Sequence, residues 1–346
     1  MMPEIAAATI LLAFAFTFTN GFQDASAIAA TLIASRSATP RKGIVLVAGM
    51  ALLGAVLGGS AVAFTLSGLL TLDPGGQTVL VLLAAVLSAT LWNLAVWRCG
   101  LPSSSTHALI GGLIGAGMAA AGTGSVYWGF AELLAPPHEM VGLTKILFFF
   151  VASIVIGFAG SYLMRRTTRL LLRNAKKSVN STIMRLNGIT AALMAFFNGA
   201  NDSQKQLGII ALVLFAAGES AALEVPLWAR LACAVLLGLG TLGGGWRIMN
   251  TLGRRIFEIE PIHSFDSQVS SGAAIALSTL AGAPISSTHV ITTSVIGVGA
   301  AENPRRVQWR VGKEIVAAMV VTIPGTALLG ALVYLIISSL AGVSVP

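Results

Sequence analysis

The chain has 346 residues, of which 55% are hydrophobic and only 10% charged, with a mean hydropathy of +0.86 and a formal net charge of +8. Soluble domains carry roughly 25% charged residues, so a water-soluble core is excluded and an all-α, polytopic membrane protein is expected. Two cysteines, Cys99 and Cys233, share no metal-ligand spacing and offer no disulfide framework.

A spanning helix needs about 20 mostly apolar residues. On that measure the first half has spans at 5–33, 43–70 and 78–97, then a polar motif and a helix over 107–121. Residues 122–144, with Pro136-Pro137, read as a loop with an interfacial helix near Tyr127 and Trp128. A span at 146–163 follows, and then a basic connector, 165–185. The second half repeats the plan, with spans at 186–215 and 227–245, a surface segment at 246–266 and a short apolar stretch at 269–282. A second polar motif opens a helix to about residue 300, 303–313 is basic, and 315–340 is the last span. Three parts result: a first repeat (1–164), the connector (165–185) and a second repeat (186–346).

The basic residues set the orientation. No acidic residue lies between Glu139 and Asp202, while the connector carries Arg165, Arg166, Arg169, Arg173, Lys176, Lys177 and Arg185. Such runs beside spans mark the cytoplasmic side and attract anionic membrane lipids, so the positive charge does not call for a nucleic-acid partner. Arg36, Arg41, Lys42 and Arg98 also fall inside, as do Arg247, Arg254 and Arg255, whereas Asp73, Glu219 and Glu224 fall outside. The first span of each half therefore crosses in opposite directions. This predicts two inverted-topology repeats, an architecture of secondary transporters.

Two motifs occur once in each half. Residues 100–117 (GLPSSSTHALIGGLIGAG) align without a gap with 282–299 (GAPISSTHVITTSVIGVG). Upstream, Asn20-Gly21-Phe22-Gln23-Asp24 corresponds to Asn198-Gly199-Ala200-Asn201-Asp202. The apolar segment before the second polar motif is too short to cross, and Pro102 and Pro284 interrupt a helix, so each half is expected to carry a re-entrant, broken-helix hairpin. Proline followed by Ser/Thr starts a helix well, and free amides at a helix N-terminus suit an oxyanion. Ser104, Ser105 and Thr106, with Ser286, Ser287 and Thr288, would supply hydroxyl donors for phosphate or sulfate. The plainer reading is that these hydroxyls only cap helices.

Asp24 and Asp202 lie within strongly apolar spans at equivalent positions, and an ionisable group there is costly. With Asn20, Asn198 and Asn201 they form an oxygen-rich set for a hard monovalent cation, sodium or a proton, and Gly21 and Gly199 are expected to let the helix open. Lys205, three residues after Asp202, is the alternative partner for that carboxylate. His107 and His289 also match and would shape the hairpins or carry protons, while His138 and His263 fall in loops. A hydrolase built from Ser105, His107 and Asp24 lacks a nucleophile elbow and leaves the duplication unexplained.

At residues 101–107, 198–202 and 283–289 the sequence resembles the inorganic phosphate transporter (PiT) family, which carries both motifs in each half. The resemblance covers nearly the whole chain. It implies a non-enzymatic membrane symporter moving orthophosphate with sodium or protons, without a cofactor, the anion on the hairpin Ser/Thr and the cations on the Asp/Asn motifs. Two features depart from the pattern: Gln23 stands where the second half has Asn201, and Gln204-Lys205-Gln206 puts a cation near the site. A sulfate permease of the same architecture and a passive anion channel remain alternatives, and the sequence leaves a homodimer open.

Overall fold

The computed structural model describes residues 2–99, 103–243, 249 and 256–342. Their regular elements are helices: α1 (Met2–Ala34), α2 (Pro40–Leu57), α3 (Ala61–Ser67), α4 (Gly76–Cys99), α5 (Ser105–Ala121), α6 (Phe130–Leu134) and α7 (Gly142–Leu171) in the first half. The second half has α8 (Val179–Ala216), α9 (Leu227–Gly243), α10 (Pro261–Leu280), α11 (Ser287–Glu302) and α12 (Trp309–Leu340). Among the described residues, five segments, in α1, α2, α4, α7 and α12, are long and apolar enough to cross a membrane. Leu101, Pro102, Arg247, Arg254, Arg255 and the side chain of Asp24 lie outside the described part.

The packing is exchanged between the halves. α1 packs on α9 while α8 packs on α2, and α5 packs on α12 while α11 packs on α7. Glycine makes these crossings close. A Cβ at Gly21 would strike the Leu237 carbonyl, and one at Gly199 the Ala51 carbonyl. The same holds for Gly115 against Ala327 and Gly297 against Phe158. Between apolar helices in lipid, such backbone approach replaces the hydrophobic drive of a soluble core. The expectation that Gly21 and Gly199 open their helices is thus corrected. α1 and α8 run unbroken through both motifs, because the glycines serve helix contact.

Two apolar clusters flank a polar belt. One includes Ala13 and Phe16 of α1, Leu109, Ile110 and Leu113 of α5, and Leu207, Ile209 and Ile210 of α8. The other includes Ala27 and Ile28 of α1, Met194 and Ala195 of α8, and Val290, Ile291 and Val295 of α11. Along the chain α1 passes from the first cluster to the second, and α8 from the second to the first. The duplicated motifs occupy the belt between.

Three further expectations are revised. The apolar run 43–70 is not one span: α2 ends at Leu57 and α3 begins at Ala61. Gly59, at φ +78°, makes the turn. The polar groups exposed by this break are taken by distant side chains. The Gln204 amide donates to the Gly58 carbonyl (2.7 Å) and accepts from Val62 N–H (2.8 Å), and Arg230 donates to the Gly59 carbonyl (2.6 Å). Residues 261–266 belong not to a surface segment but to the 20-residue helix α10, so the apolar stretch expected at 269–282 is part of a longer helix than the sequence suggested, and His263 and Asp266 take buried positions on it. Near Tyr127 and Trp128 the chain forms a short 3-10 turn (Thr123–Ser125) and α6, not a helix centred on those rings.

Candidate functional site

The two Ser-Ser-Thr-His motifs start α5 and α11 with the same local geometry. Ser104 and Ser286 are the N-cap residues, and their hydroxyls accept from the His107 and His289 amides at 3.1 and 3.4 Å. A serine at this position satisfies one of the amides that a helix start leaves open. The two starts touch. Thr106 Oγ1 donates to the Ile285 carbonyl at 2.8 Å, and the His107 and His289 rings lie edge to face with centroids 4.6 Å apart. All six hydroxyl residues expected from sequence, Ser104–Thr106 and Ser286–Thr288, are buried. Ser287 Oγ has no hydrogen-bond partner among the described residues.

The α8 motif closes this junction from the side. Asn201 donates to Thr279 Oγ1 (3.1 Å) and the Ala283 carbonyl (3.0 Å), and accepts from Ile285 N–H (3.3 Å). Asp202 takes Asn198 Nδ2 on one oxygen (2.8 Å) and Lys205 Nζ on the other (2.6 Å). Lys205 Nζ also donates to Thr106 Oγ1 (2.6 Å) and to the Ile285 carbonyl (2.9 Å). Asp202 and Lys205 are each 1% exposed, so this pair is screened by neither water nor salt.

The α1 motif meets different partners. Gln23 Nε2 donates to the Asn93 carbonyl of α4 at 2.7 Å. Asn20 is fully buried, and among the described residues neither end of its amide has a hydrogen-bond partner. The side chains of Asn93 and Gln206 share that condition. Buried amides without protein partners are rare, and water or an ion commonly accounts for them. Asn93 and Thr279 were not singled out in the sequence, and Gln204 and Gln206 were noted only as the neighbours of Lys205. For Gln204 and Gln206 a signal existed, since two amides beside a lysine are unusual in an apolar helix.

A second charged cluster, buried at Asp266 and His263 and half-buried at Glu302, lies at the other end of α11. Arg165 bonds Glu302 (Nε to Oε2, 2.7 Å) and stands 3.5 Å from Asp266, which also accepts from Thr168 Oγ1 at 2.8 Å. His263 Nε2 is 3.9 Å from the same Glu302 oxygen. This ties α7, α10 and α11 together away from the motif junction. Asp266 therefore joins Asp202 as a buried helical carboxylate, a role the sequence had given to Asp24 and Asp202 alone.

Residues 20–330 match the profile of the phosphate transporter family. The chain belongs to that family. It is 36% identical over 335 residues to a probable low-affinity inorganic phosphate transporter of Bacillus subtilis (strain 168), covering 95% of this chain and 96% of that one. It is 38% identical over 327 residues to a protein of the same description from Rhizobium meliloti (strain 1021), covering 94% of each. A solved structure described as the sodium-dependent phosphate transporter shares the fold, with a TM-score of 0.86 at 24% identity, over 97% of this chain and 99% of that one. As a member of the phosphate transporter family, the protein is a transporter and not an enzyme, and a multi-pass integral membrane protein.

Proposed function

We propose that the protein imports inorganic phosphate by secondary active symport with a cation, sodium or a proton. The observation that carries this reading is the meeting of two helix N-termini, one from each half, at Thr106–Ile285 and His107–His289. Two converging starts, rimmed by serine and threonine, suit an oxyanion that has left water. Phosphate is assigned to Ser104, Ser105, Thr106, Ser286, Ser287 and Thr288. The coupling charge is assigned to the Asn-Gly-x-x-Asp motifs, with Asn20 and Asp24 in one half and Asn198, Asn201 and Asp202 in the other. The buried Asn20 amide, which has no hydrogen-bond partner among the described residues, supports the first assignment.

The same reading takes residues 1–164 and 186–346 as inverted repeats joined by a cytoplasmic connector. Support comes from the exchanged packing and from the opposite order in which α1 and α8 pass through the two apolar clusters. The hairpin form of the polar segments is supported by α5 and α11, whose 17 and 16 residues start at the junction. At 1.5 Å per residue each falls short of a bilayer core of about 30 Å. The sodium-dependent description of the structural neighbour favours sodium as the coupling ion.

The test is radiolabelled phosphate uptake into liposomes holding the purified protein, with sodium and proton gradients imposed separately. Accumulation above equilibrium under one gradient, and stronger competition by arsenate than by sulfate, are expected. Equilibration without accumulation would make it a channel, and preferential inhibition by sulfate a sulfate permease.

A further inference from the structure

We infer that Lys205 is a tethered cation that permanently fills the cation site of the second half, so that a mobile coupling cation is needed only in the first. The inference rests on the symport reading above and deepens it. An ammonium has three hydrogens and no acceptor. All three hydrogens of Lys205 are accounted for: a carboxylate oxygen (Asp202, 2.6 Å), a hydroxyl oxygen (Thr106, 2.6 Å) and a backbone carbonyl (Ile285, 2.9 Å). Carboxylate, hydroxyl and carbonyl are the oxygen set that a hard monovalent cation selects.

An ordinary helix pair three residues apart leaves the lysine head in solvent. Here the head is buried and reaches Thr106 from the first half and Ile285 from the second, cross-bracing both hairpin tips. With every hydrogen engaged, Lys205 has no donor left for a direct bond to phosphate. The duplication supplies the contrast. In the first half the corresponding residue, 178 positions earlier, is Ala27, fully buried and without charge. The Asp202 motif therefore enters the transport cycle neutral, and the protein moves one cation fewer per phosphate than a carrier with two open motifs.

The experiment compares wild type with Lys205→Ala in liposomes and in detergent. At the lowest sodium concentration that still supports wild-type uptake, with choline as the balancing ion, uptake by Lys205→Ala should fall at least tenfold. Sodium, lithium or methylammonium should restore it, with a Hill coefficient for the cation one higher than in wild type. The sodium-dependent rise in Tm should be larger in Lys205→Ala than in wild type. That arm reads the cation site even if wild type accumulates no phosphate, a result that would sink the symport reading alone. A folded Lys205→Ala protein that no cation rescues, or one with unchanged uptake and ion dependence, overturns the inference. Asp202→Asn combined with Lys205→Met deletes the pair as a unit, a change that buried ion pairs often tolerate. Its remaining uptake should keep the wild-type order in coupling cation; a drop of one in that order shows that Asp202 holds a mobile ion and overturns the inference independently.

Discussion

His107 and His289 stand edge to face at the point where the two halves meet, with ring centroids 4.6 Å apart. His107 also lies 4.1 Å from the Phe150 ring, and neither ring nitrogen of His289 is hydrogen bonded within the protein. Two charged imidazoliums at this separation would repel each other in a buried site. The geometry favours rings that pack over rings that relay protons. His289→Phe should keep most of the stability, whereas His289→Ala leaves a void costing about 2–5 kcal/mol. Thermal unfolding in detergent measures the difference. The pH profile of uptake should keep its shape in the Phe variant, and a flattened profile would return a proton-carrying role to His289.

Adjacent serines in the second motif, both assigned to phosphate, differ in that only one also caps the helix. Ser286 caps α11, while the buried Ser287 hydroxyl has no hydrogen-bond partner among the described residues. Ser287→Ala should weaken phosphate binding by about 1.5–3 kcal/mol, roughly ten- to a hundredfold, with little change in Tm. Ser286→Ala should lower stability by about 0.5–2 kcal/mol through the lost cap. Equilibrium phosphate binding alongside Tm distinguishes them; equal effects on both quantities would remove Ser287 from the anion site.

Gly199→Val forces a branched side chain into the Ala51 carbonyl of α2. Overpacking of this kind costs about 1–3 kcal/mol or more, and a fall in Tm with loss of uptake is expected. Gly188, on the same helix, has nothing within 4 Å of an added Cβ. Gly188→Ala should be neutral or stabilising by about 0.5–1 kcal/mol. If the two variants behave alike, the glycine crossing is not what holds α8 against α2.

The connector gives a topology test. Lys176 is exposed and lies between α7 and α8. Cys99 is exposed and Cys233 buried, so Lys176→Cys belongs in a Cys99→Ser background. An impermeant thiol reagent added outside intact cells should miss position 176 and label it after the membrane is opened. Ready labelling from outside would refute the cytoplasmic connector.

The motif junction was legible because a polar run in so apolar a chain carries its own contrast, and duplication doubled the signal. Lys205 was visible for the same reason, although its bonds to Thr106 and Ile285 depend on contacts 99 and 80 residues away in sequence. The break after Leu57 was invisible, since hydropathy runs straight through it and its partners, Gln204 and Arg230, are more than 140 residues distant. α10 was undercounted because Ser264, Ser267, Gln268 and Ser271 lower its hydropathy while their hydrogen bonds lie inside the bundle. Asp266 looked like a surface acid for want of any hint that Arg165 and Thr168 face it.

The exchange of partners between α1 and α9, and between α8 and α2, bears on how the molecule is made. A nascent chain delivers α1, α2, α5 and α7 to the bilayer while α9, α8, α12 and α11 are still unsynthesised. The early helices can pack on one another, α4 on α5 and on α1, but the glycine-lined faces turned toward the second half stay uncovered until their partners are made. Completion of the bundle thus waits on synthesis of the second half. A ribosome that stalls before α8 leaves a product whose exposed small-residue faces single it out for membrane quality control.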